Sequence, residues 1–520
     1  MARVRAMNQM NPVNPLPRPV HALLPEVADI NYVRGELAAA IAAGAIVVPG
    51  RLEGQDATPA ANAVVRFYLD LIASTAAPFD PRLLLLILMA QLETNLIETG
   101  HLDAPPDAQR SSAIIGHRFL IERFAAEPPS GRAEPTPTQV KRLLASAVEL
   151  LNLGALSDVL HSGAMQGAVW LDDAGYFCSM LSTEAQAMHQ RFVARMTAST
   201  GRVRDQVAAA GREPPDAAME TEFGVTWVEF FTLANALRDF PDEDMGAYAA
   251  EHEWFINNLG VATGIDPERV QSWVDALSLG PRASYLQPQP PFGINDVMPW
   301  RFNRRLSYFR RPLVIIESPD RREVAWSLEQ FRNASARIVI DILHGSFRGV
   351  SQELEEWMSA VRGENSERFN DQIADMMAGS LDHITVRRRV DTIDGIRMTR
   401  VNGEAIGDVD VLGADPVERL IVLTETKDFR ASLVPSTLRD EIDDLEDAVG
   451  HVRERTAWVR AHLPHVAAEL GIPQVDINEW AIHPRIVTDE PVAAAGVRDW
   501  GVEIMTFDDL LALVNNGVLA

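Results

Sequence analysis

Two nearby runs are the most informative part of the sequence: Gly407-Asp-Val-Asp-Val-Leu412 and, after a short gap, Leu420-Ile-Val-Leu-Thr-Glu-Thr-Lys427. Alternate side chains of a strand share one face, so Asp408 and Asp410 point to the same side of the first run. The apolar start of the second run predicts a central strand that is covered on both faces. Two adjacent strands are therefore predicted, and both carry charged side chains.

The charged side chains of these strands suggest a metal site. Glu425 and Lys427 share one face, and unpaired charges are costly to bury. If the strands are neighbours, Asp410 and Glu425 meet, and their mutual repulsion raises both pKa values unless a divalent cation lies between them. Oxygen ligands favour Mg²⁺ or Mn²⁺ over zinc. The compact ammonium of Lys427 suits a place beside a metal-bound water, whose pKa it helps to lower.

Composition limits the other possibilities. The chain has 520 residues, of which 47% are hydrophobic, enough for two to four domains with real cores. Its one cysteine, Cys178, excludes an internal disulfide framework and a thiolate-rich zinc site. The formal net charge of −26 disfavours a nucleic-acid partner, but acidic and basic residues nearly balance between 301 and 400. Lys141 and Lys427 are the only lysines among 47 basic residues, and the others are arginines. Because lysine and arginine are not interchangeable, a lysine beside other candidate site residues indicates a specific role.

The first half of the chain has helical periodicity, with apolar residues three and four positions apart. Residues 1–285 are accordingly expected to form an all-α interaction or scaffold region. The predicted helices are Ala61–Ile97, Ser111–Ala126, Thr138–Leu160, Thr183–Ala210, Thr226–Arg238, Met245–Leu259 and Pro267–Leu279.

The pattern changes at the Pro-rich connector Gln287–Gly293, the expected domain boundary. Residues 286–350 are interpreted as this connector and a bridging segment rich in arginine and aromatic residues, and residues 351–520 as an α/β domain. The elements predicted after the connector are strands at Pro312–Ile316 and Ala336–Asp341, helices at Ser351–Arg362 and Glu364–Gly379, strands at Ile384–Thr392, Gly407–Leu412 and Leu420–Lys427, a helix at Thr437–His462, a strand at Trp480–Val487 and a helix at Asp508–Val514.

Residues 360–515 resemble the PD-(D/E)xK restriction-endonuclease-like nucleases, in particular the Mrr-like and NERD-type branch. The resemblance is carried by Gly407-Asp-Val-Asp410 and by Glu425-Thr-Lys427 at the end of an apolar strand. It implies an αβββαβ core with a mixed sheet. It further implies that Asp410 and Glu425 bind Mg²⁺ or Mn²⁺, that the carbonyl of Thr426 is a further ligand, and that Lys427 serves the nucleophilic water.

The sequence departs from this family at the helix before the first strand. Members often carry a glutamate there, whereas this chain has Asn370 at the matching position. Either Glu367, one turn earlier, replaces it as a metal ligand, or the position is lost, so a second metal ion is left open. Asp408 and Asn370 are expected to lie beside the ligands.

Arginines interleaved with aromatic side chains suggest a nucleic-acid surface. The candidate residues are Arg301, Arg304, Arg305, Arg310 and Arg311. The alternative is an inter-domain clasp in which these arginines pair with the acidic helical half. Arg453 and Arg460, seven positions apart on the helix after the second strand, line a groove or belong to a solvated helix face.

These features lead to an expected function. The chain is interpreted as an enzyme, a metal-dependent endonuclease acting on DNA, with RNA not excluded, in a bacterial restriction or anti-phage role. The competing interpretation is an inactive nuclease fold that serves as a binding subunit. A protein partner is expected through the helical N-terminal region, and a cytoplasmic location without a membrane segment is expected from the short apolar runs.

Overall fold

The computed structural model describes all residues except 1–14, 101–107, 163–165, 182–212, 239–244, 302–303, 381–382, 401, 428–437, 473–476, 490, 497–498 and 519–520. The chain divides into two units, the first comprising Met1–Met180 and Asp205–Ala360, the second Leu181–Arg204 and Val361–Ala520. The division thus falls after Ala360, and residues 286–350 belong to the first unit. The helix predicted at Thr183–Ala210 lies outside the described residues.

The first unit is built largely from helices. They are α1 Val27–Ala42, α2 Thr58–Ala76, α3 Pro81–Gly100, α4 Ala108–Ala126, α5 Pro137–Ser162, α6 Asp216–Phe223, α7 Trp227–Arg238, α8 His252–Thr263, α9 Pro267–Ala276 and α10 Leu328–Leu343. Apolar faces of α2 to α5 meet in one core, where Tyr68, Leu88, Phe119 and Leu144 are fully buried. Burial of such faces is the main stabilising contribution of these helices.

Helix α5 has a composition that also needs an explanation. Its segment Pro137–His161 is long and apolar enough to cross a membrane, the one such segment in the part of the chain that the structure describes. In the fold, 67% of its most apolar window is buried. The apolar composition of α5 is therefore explained by its packing in the core of the first unit.

The first unit also contains sheets, so the expectation of an all-α region is wrong. Its strands are β1 Leu16–Pro17, β2 Leu52–Glu53, β3 Gly167–Leu171, β4 Phe177–Leu181, β5 Met245–Glu251, β6 Ser278–Leu279, β7 Leu313–Ser318 and β8 Arg321–Trp326. Five of them form a sheet in the order β1-β5-β8-β7-β6, and the other three form a sheet in the order β2-β3-β4. The first unit is mixed α/β, with helices in the majority.

Two local predictions fail for identifiable reasons. Residues Met245–Glu251 were predicted as helix, because alanine and glycine carry no strand signal. They form a strand because they pair with β8, where Tyr248 lies opposite Trp326 with the two rings stacked. Residues Ala336–Asp341 were predicted as strand from their β-branched side chains. They belong to α10, whose buried Phe331, Ala334, Ile338 and Ile342 follow helical spacing.

The second unit alternates strands and helices. Its elements are α11 Gln352–Ser380, which begins in the first unit, then β9 Thr385–Val390, β10 Thr392–Ile393, β11 Ile396–Arg397, β12 Val409–Asp415, β13 Leu420–Lys427, α12 Leu438–Ala461, α13 Leu463–Leu470, β14 Ala481–Thr488, β15 Glu503–Thr506 and α14 Phe507–Asn515. A five-stranded sheet has the order β15-β14-β13-β12-β9. β12 is antiparallel to β9 and β13, whereas β14 is parallel to β13 and β15.

Helices cover both faces of this sheet. On one face the second half of α11 supplies Ile373 and Met377, which pack with Val411, Val422 and Val487. On the other face α12 contacts β13 and β14 and buries the side chains of Leu445, Ala448 and Val452. The prediction of β13 is confirmed at the bounds expected. The two helices predicted around Gly363 form the single 29-residue helix α11.

Candidate functional site

The site is set by the register of β12 and β13. The strands are antiparallel with Val411 opposite Thr424, so Asp410 and Glu425 occupy the next pair of positions towards the end of β13. Glu425 is buried, with 3% of its surface exposed, and Asp410 is partly buried. The Nζ of Lys427, at the last position of β13, lies 3.1 Å from Oε1 of Glu425. The register thus places Asp410 and Glu425 at neighbouring positions of paired strands, and the side chain of Lys427 contacts that of Glu425.

Asp410 is held by neutral donors. Its Oδ2 accepts hydrogen bonds from the backbone N of Thr426 at 2.8 Å and from Oγ1 of Thr426 at 3.1 Å. Its Oδ1 accepts a hydrogen bond from Nδ2 of Asn370 at 3.1 Å. Burial raises the pKa of Asp410, and Asp408 adds to that rise, while the donors of Thr426 oppose it. Asp410 therefore holds a proton more tightly than an exposed aspartate does.

Asn370 connects helix α11 to the site. It is buried, donates to Asp410 and accepts a hydrogen bond from Oγ1 of Thr426 through its own Oδ1. Its predicted place beside the ligand candidates agrees with this geometry. Glu367, one turn earlier, forms an ion pair with Arg389 instead, and its side chain is 63% exposed.

Glu425 has a partner that the sequence analysis missed. Nη1 of Arg455, on α12, donates to Oε2 of Glu425, and both side chains are buried. Burial lowers the pKa of Arg455, and the charges of Asp410 and Asp408 oppose this shift, so the guanidinium lies within electrostatic reach of three carboxylates. The sequence contains an indication of this contact. Arg455 lies on the same helix face as the apolar Ala448 and Val452, and a charged side chain on a buried face needs a partner of opposite charge.

Gly407 makes room for this guanidinium. Its backbone has φ = +82°, and a Cβ on it would lie 2.8 Å from Nη2 of Arg455. The carbonyl of Ile406 accepts a hydrogen bond from Nε of Arg455 at 3.4 Å. The glycine that opens the first strand motif is therefore favoured by its left-handed backbone, and it leaves space for the guanidinium of Arg455.

The donor set can be compared with the needs of a metal ion. Asp410, Glu425 and the carbonyl of Thr426 offer hard oxygen ligands, the kind that Mg²⁺ and Mn²⁺ prefer. No group of three His, Cys, Asp or Glu side chains suited to a metal ion occurs among the described residues. The set fits one hard cation in ligand type, on condition that Glu425 becomes available beside Arg455 and Lys427.

The arginines expected to bind nucleic acid lie elsewhere, in the first unit. Arg304 is buried in an ion pair with Glu122, and Arg310 is buried in an ion pair with Asp341. These two guanidinium groups do not face solvent, which departs from the nucleic-acid interpretation. The remaining members have intramolecular partners: Arg301 pairs with Asp158, Arg305 with Asp296, and Arg311 with the carbonyls of Asp275 and Ser278. All of these partners belong to the first unit, so the contacts hold segments of one unit together and do not form the inter-domain clasp of the alternative interpretation.

Arg453 also has a structural contact. Its Nη2 donates a hydrogen bond to the carbonyl of Trp500 in the second unit. Arg460, in the last turn of α12, is exposed. The arginine of α12 that forms an ion pair with Glu425 is Arg455.

The fold and the site define a mixed α/β protein whose second unit carries a buried polar cluster at the end of two central strands. The family model described as "Anti-phage protein Upx-like" matches residues 106–442, more than half of the chain, and the chain belongs to this family. The matched range includes Asn370, Asp410, Glu425 and Lys427. Neither a curated protein nor a solved structure matches the chain.

Proposed function

We propose that this anti-phage protein is a metal-dependent nuclease that hydrolyses phosphodiester bonds of DNA, with RNA as the second substrate class to be tested. The observation that carries the proposal is the position of Asp410, Glu425 and Lys427 at the same end of the paired strands β12 and β13, with the lysine ammonium 3.1 Å from the glutamate. The order of elements adds support. A helix, three antiparallel strands, a helical segment and a parallel strand follow one another, as the nuclease resemblance implies.

Each residue has a chemical role in this proposal. Asp410 and Glu425, with the carbonyl of Thr426, would hold one Mg²⁺ or Mn²⁺ ion. When bound, the ion supplies Lewis-acid stabilisation of a phosphate and lowers the pKa of a water. Lys427 is 35% exposed, so its ammonium can contact a substrate phosphate and stabilise the charge that develops there. Asn370 and Thr426 orient the Asp410 carboxylate.

The proposal is tested by cleavage assays with the purified full-length chain. Linear phage DNA, plasmid DNA and RNA are each incubated with MgCl₂, MnCl₂ or EDTA. Asp410→Asn and Lys427→Met should reduce the ion-dependent cleavage rate by about 100-fold or more. Lys141→Met is the matched control, because Lys141, on α5 in the first unit, pairs with Glu26 and its loss should leave the rate unchanged. Equal cleavage by all four proteins would reject the site.

A second candidate function rests on the ion pair between Arg455 and Glu425. A buried guanidinium on a proposed ligand also suits a nuclease fold that has lost catalysis and binds nucleic acid or a protein partner. Plating of phage on cells that carry the wild type or Asp410→Asn separates the two. Protection that survives Asp410→Asn, together with nucleic-acid binding but no cleavage by the wild type, would favour the binding role.

A further inference from the structure

Arg455 has a position that the proposed chemistry does not use. Its side chain is 8% exposed and that of Glu425 is 4% exposed, so the pair is shielded from water. The guanidinium donates to Oε2 of Glu425 and, from Nε, to the carbonyl of Ile406. A cation therefore already lies on one oxygen of the glutamate that is expected to bind a metal ion.

The other oxygen of Glu425 is engaged as well. Nζ of Lys427 lies 3.1 Å from Oε1, so each oxygen of the carboxylate has a positive partner. Lys427 and Arg455 thus bring two positive charges to the single carboxylate of Glu425. A divalent ion entering this arrangement meets two positive groups in a buried place, where screening by solvent is weak.

The guanidinium of Arg455 also contacts the backbone at Ile406 and Gly407. Gly407 leaves Nη2 of Arg455 a space that a methyl group would fill, since a Cβ there would come within 2.8 Å. The contact with Glu425 is therefore one of several that fix the arginine on α12. Moving it off Glu425 requires breaking a buried ion pair, which is unfavourable unless another cation takes its place.

We propose that Arg455 is a positioning residue that holds Glu425 in the metal-free protein, and that a divalent cation binds Glu425 only when the guanidinium leaves it. This inference rests on the proposed function, because it takes Glu425 as a ligand. Arg455 then sets the metal affinity of the site. The ion in turn replaces the charge that stabilises Glu425 in the metal-free protein.

The test measures Mn²⁺ binding and thermal unfolding of the full-length protein, independently of cleavage. Arg455→Gln should bind Mn²⁺ about tenfold tighter than the wild type by calorimetry. Its Tm should be lower without the ion and should rise more on addition of MnCl₂. Arg460→Gln, the same substitution at an exposed position of α12, should match the wild type. Arg455→Gln combined with Glu425→Gln should lose the gain in affinity.

Arg455→Lys is the second variant, in case Arg455→Gln folds poorly. It keeps a positive charge but presents one nitrogen instead of a planar fork, so an intermediate Mn²⁺ affinity is expected. Equal or weaker Mn²⁺ binding by Arg455→Gln and Arg455→Lys, with Glu425→Gln still abolishing the binding of the wild type, overturns this inference alone. If Glu425→Gln leaves Mn²⁺ binding unchanged in every background, the proposed metal site itself is wrong.

Discussion

Asn370 on α11 donates a hydrogen bond of 3.1 Å to Asp410 on β12, and both residues also contact the side chain of Thr426 on β13. A helix and two consecutive strands therefore fix the orientation of a single carboxylate. The amide occupies the place where the nuclease resemblance leads one to expect a glutamate. This substitution of an amide for an acid gives the first prediction.

Asn370→Asp should destabilise the metal-free protein and make it more responsive to metal. A second carboxylate beside Asp410 removes a donated hydrogen bond and adds repulsion, at a cost of roughly 1–3 kcal/mol in the free energy of unfolding. Addition of MnCl₂ should recover part of this loss, because a third acidic ligand becomes available. Urea unfolding with and without the ion measures both effects. Asn370→Ala adds no charge, and a similar recovery in that variant would contradict the prediction.

Gly407→Ala should change stability and Mn²⁺ binding in the same direction as removal of the Arg455 side chain. The new methyl group would lie 2.8 Å from Nη2 of Arg455, so it should displace the guanidinium from Glu425. Gly403→Ala is the matched control, since Gly403 also has a positive φ, of +84°, but a Cβ added to it would meet no atom within 4 Å. Both variants should lose about 1 kcal/mol of stability from backbone strain, and Gly407→Ala should lose more and bind Mn²⁺ more tightly. Identical melting and binding curves for the two variants would show that the contact has no effect.

Glu93 in the first unit should make stability depend on pH. It is buried on α3 and accepts hydrogen bonds from the backbone N of Glu329 and Gln330 at the start of α10. Burial raises its pKa from 4.5 to about 7, so the folded chain binds more protons than the unfolded chain between these values. The free energy of unfolding should therefore fall as pH rises through this window, by on the order of 3 kcal/mol.

Glu93→Gln is the variant that measures this contribution, because the amide does not titrate. Chemical unfolding of the wild type and of Glu93→Gln is compared at several pH values from 4.5 to 8. The stability difference between the two proteins should change in favour of the variant as pH rises. Curves that run parallel over the whole range would mean that Glu93 has an ordinary pKa in the fold.

Arg304→Met should strongly destabilise the first unit. Glu122 would be left as a buried carboxylate without its guanidinium partner, which typically costs about 3–5 kcal/mol. Arg301→Met is the control, since the ion pair of Arg301 with Asp158 is partly exposed and its loss should cost less than about 1 kcal/mol. Thermal unfolding measures both. A small effect of Arg304→Met would mean that Glu122 finds another donor.

The sequence was most informative where a strand begins with a continuous apolar run and lies at the centre of a sheet. The run from Leu420 to Lys427 is such a strand, and its bounds and its pairing with the strand that carries Asp410 could be predicted from the apolar run and from alternation. The strand Met245–Glu251 could not, because its conformation comes from pairing with β8 rather than from its own side chains.

The site was predictable only in part for a related reason. The ligand candidates lie within twenty positions of one another, whereas Arg455 approaches Glu425 through the packing of α12 on the sheet. The same holds for Arg304 and Arg310, whose charges suggested a surface. Their acidic partners lie on other helices, Glu122 on α4 and Asp341 on α10, and only tertiary packing shows that these arginines are internal.

Lysine is so rare in this chain that Lys427 can serve as a chemical reporter. Amine-selective acylation has two side-chain targets, Lys141 and Lys427, both partly accessible. Peptide mass spectrometry can follow each separately, with Lys141 as an internal reference in every sample. Occupancy at the end of β13 can thus be measured without introducing a label, through the protection of one native amine.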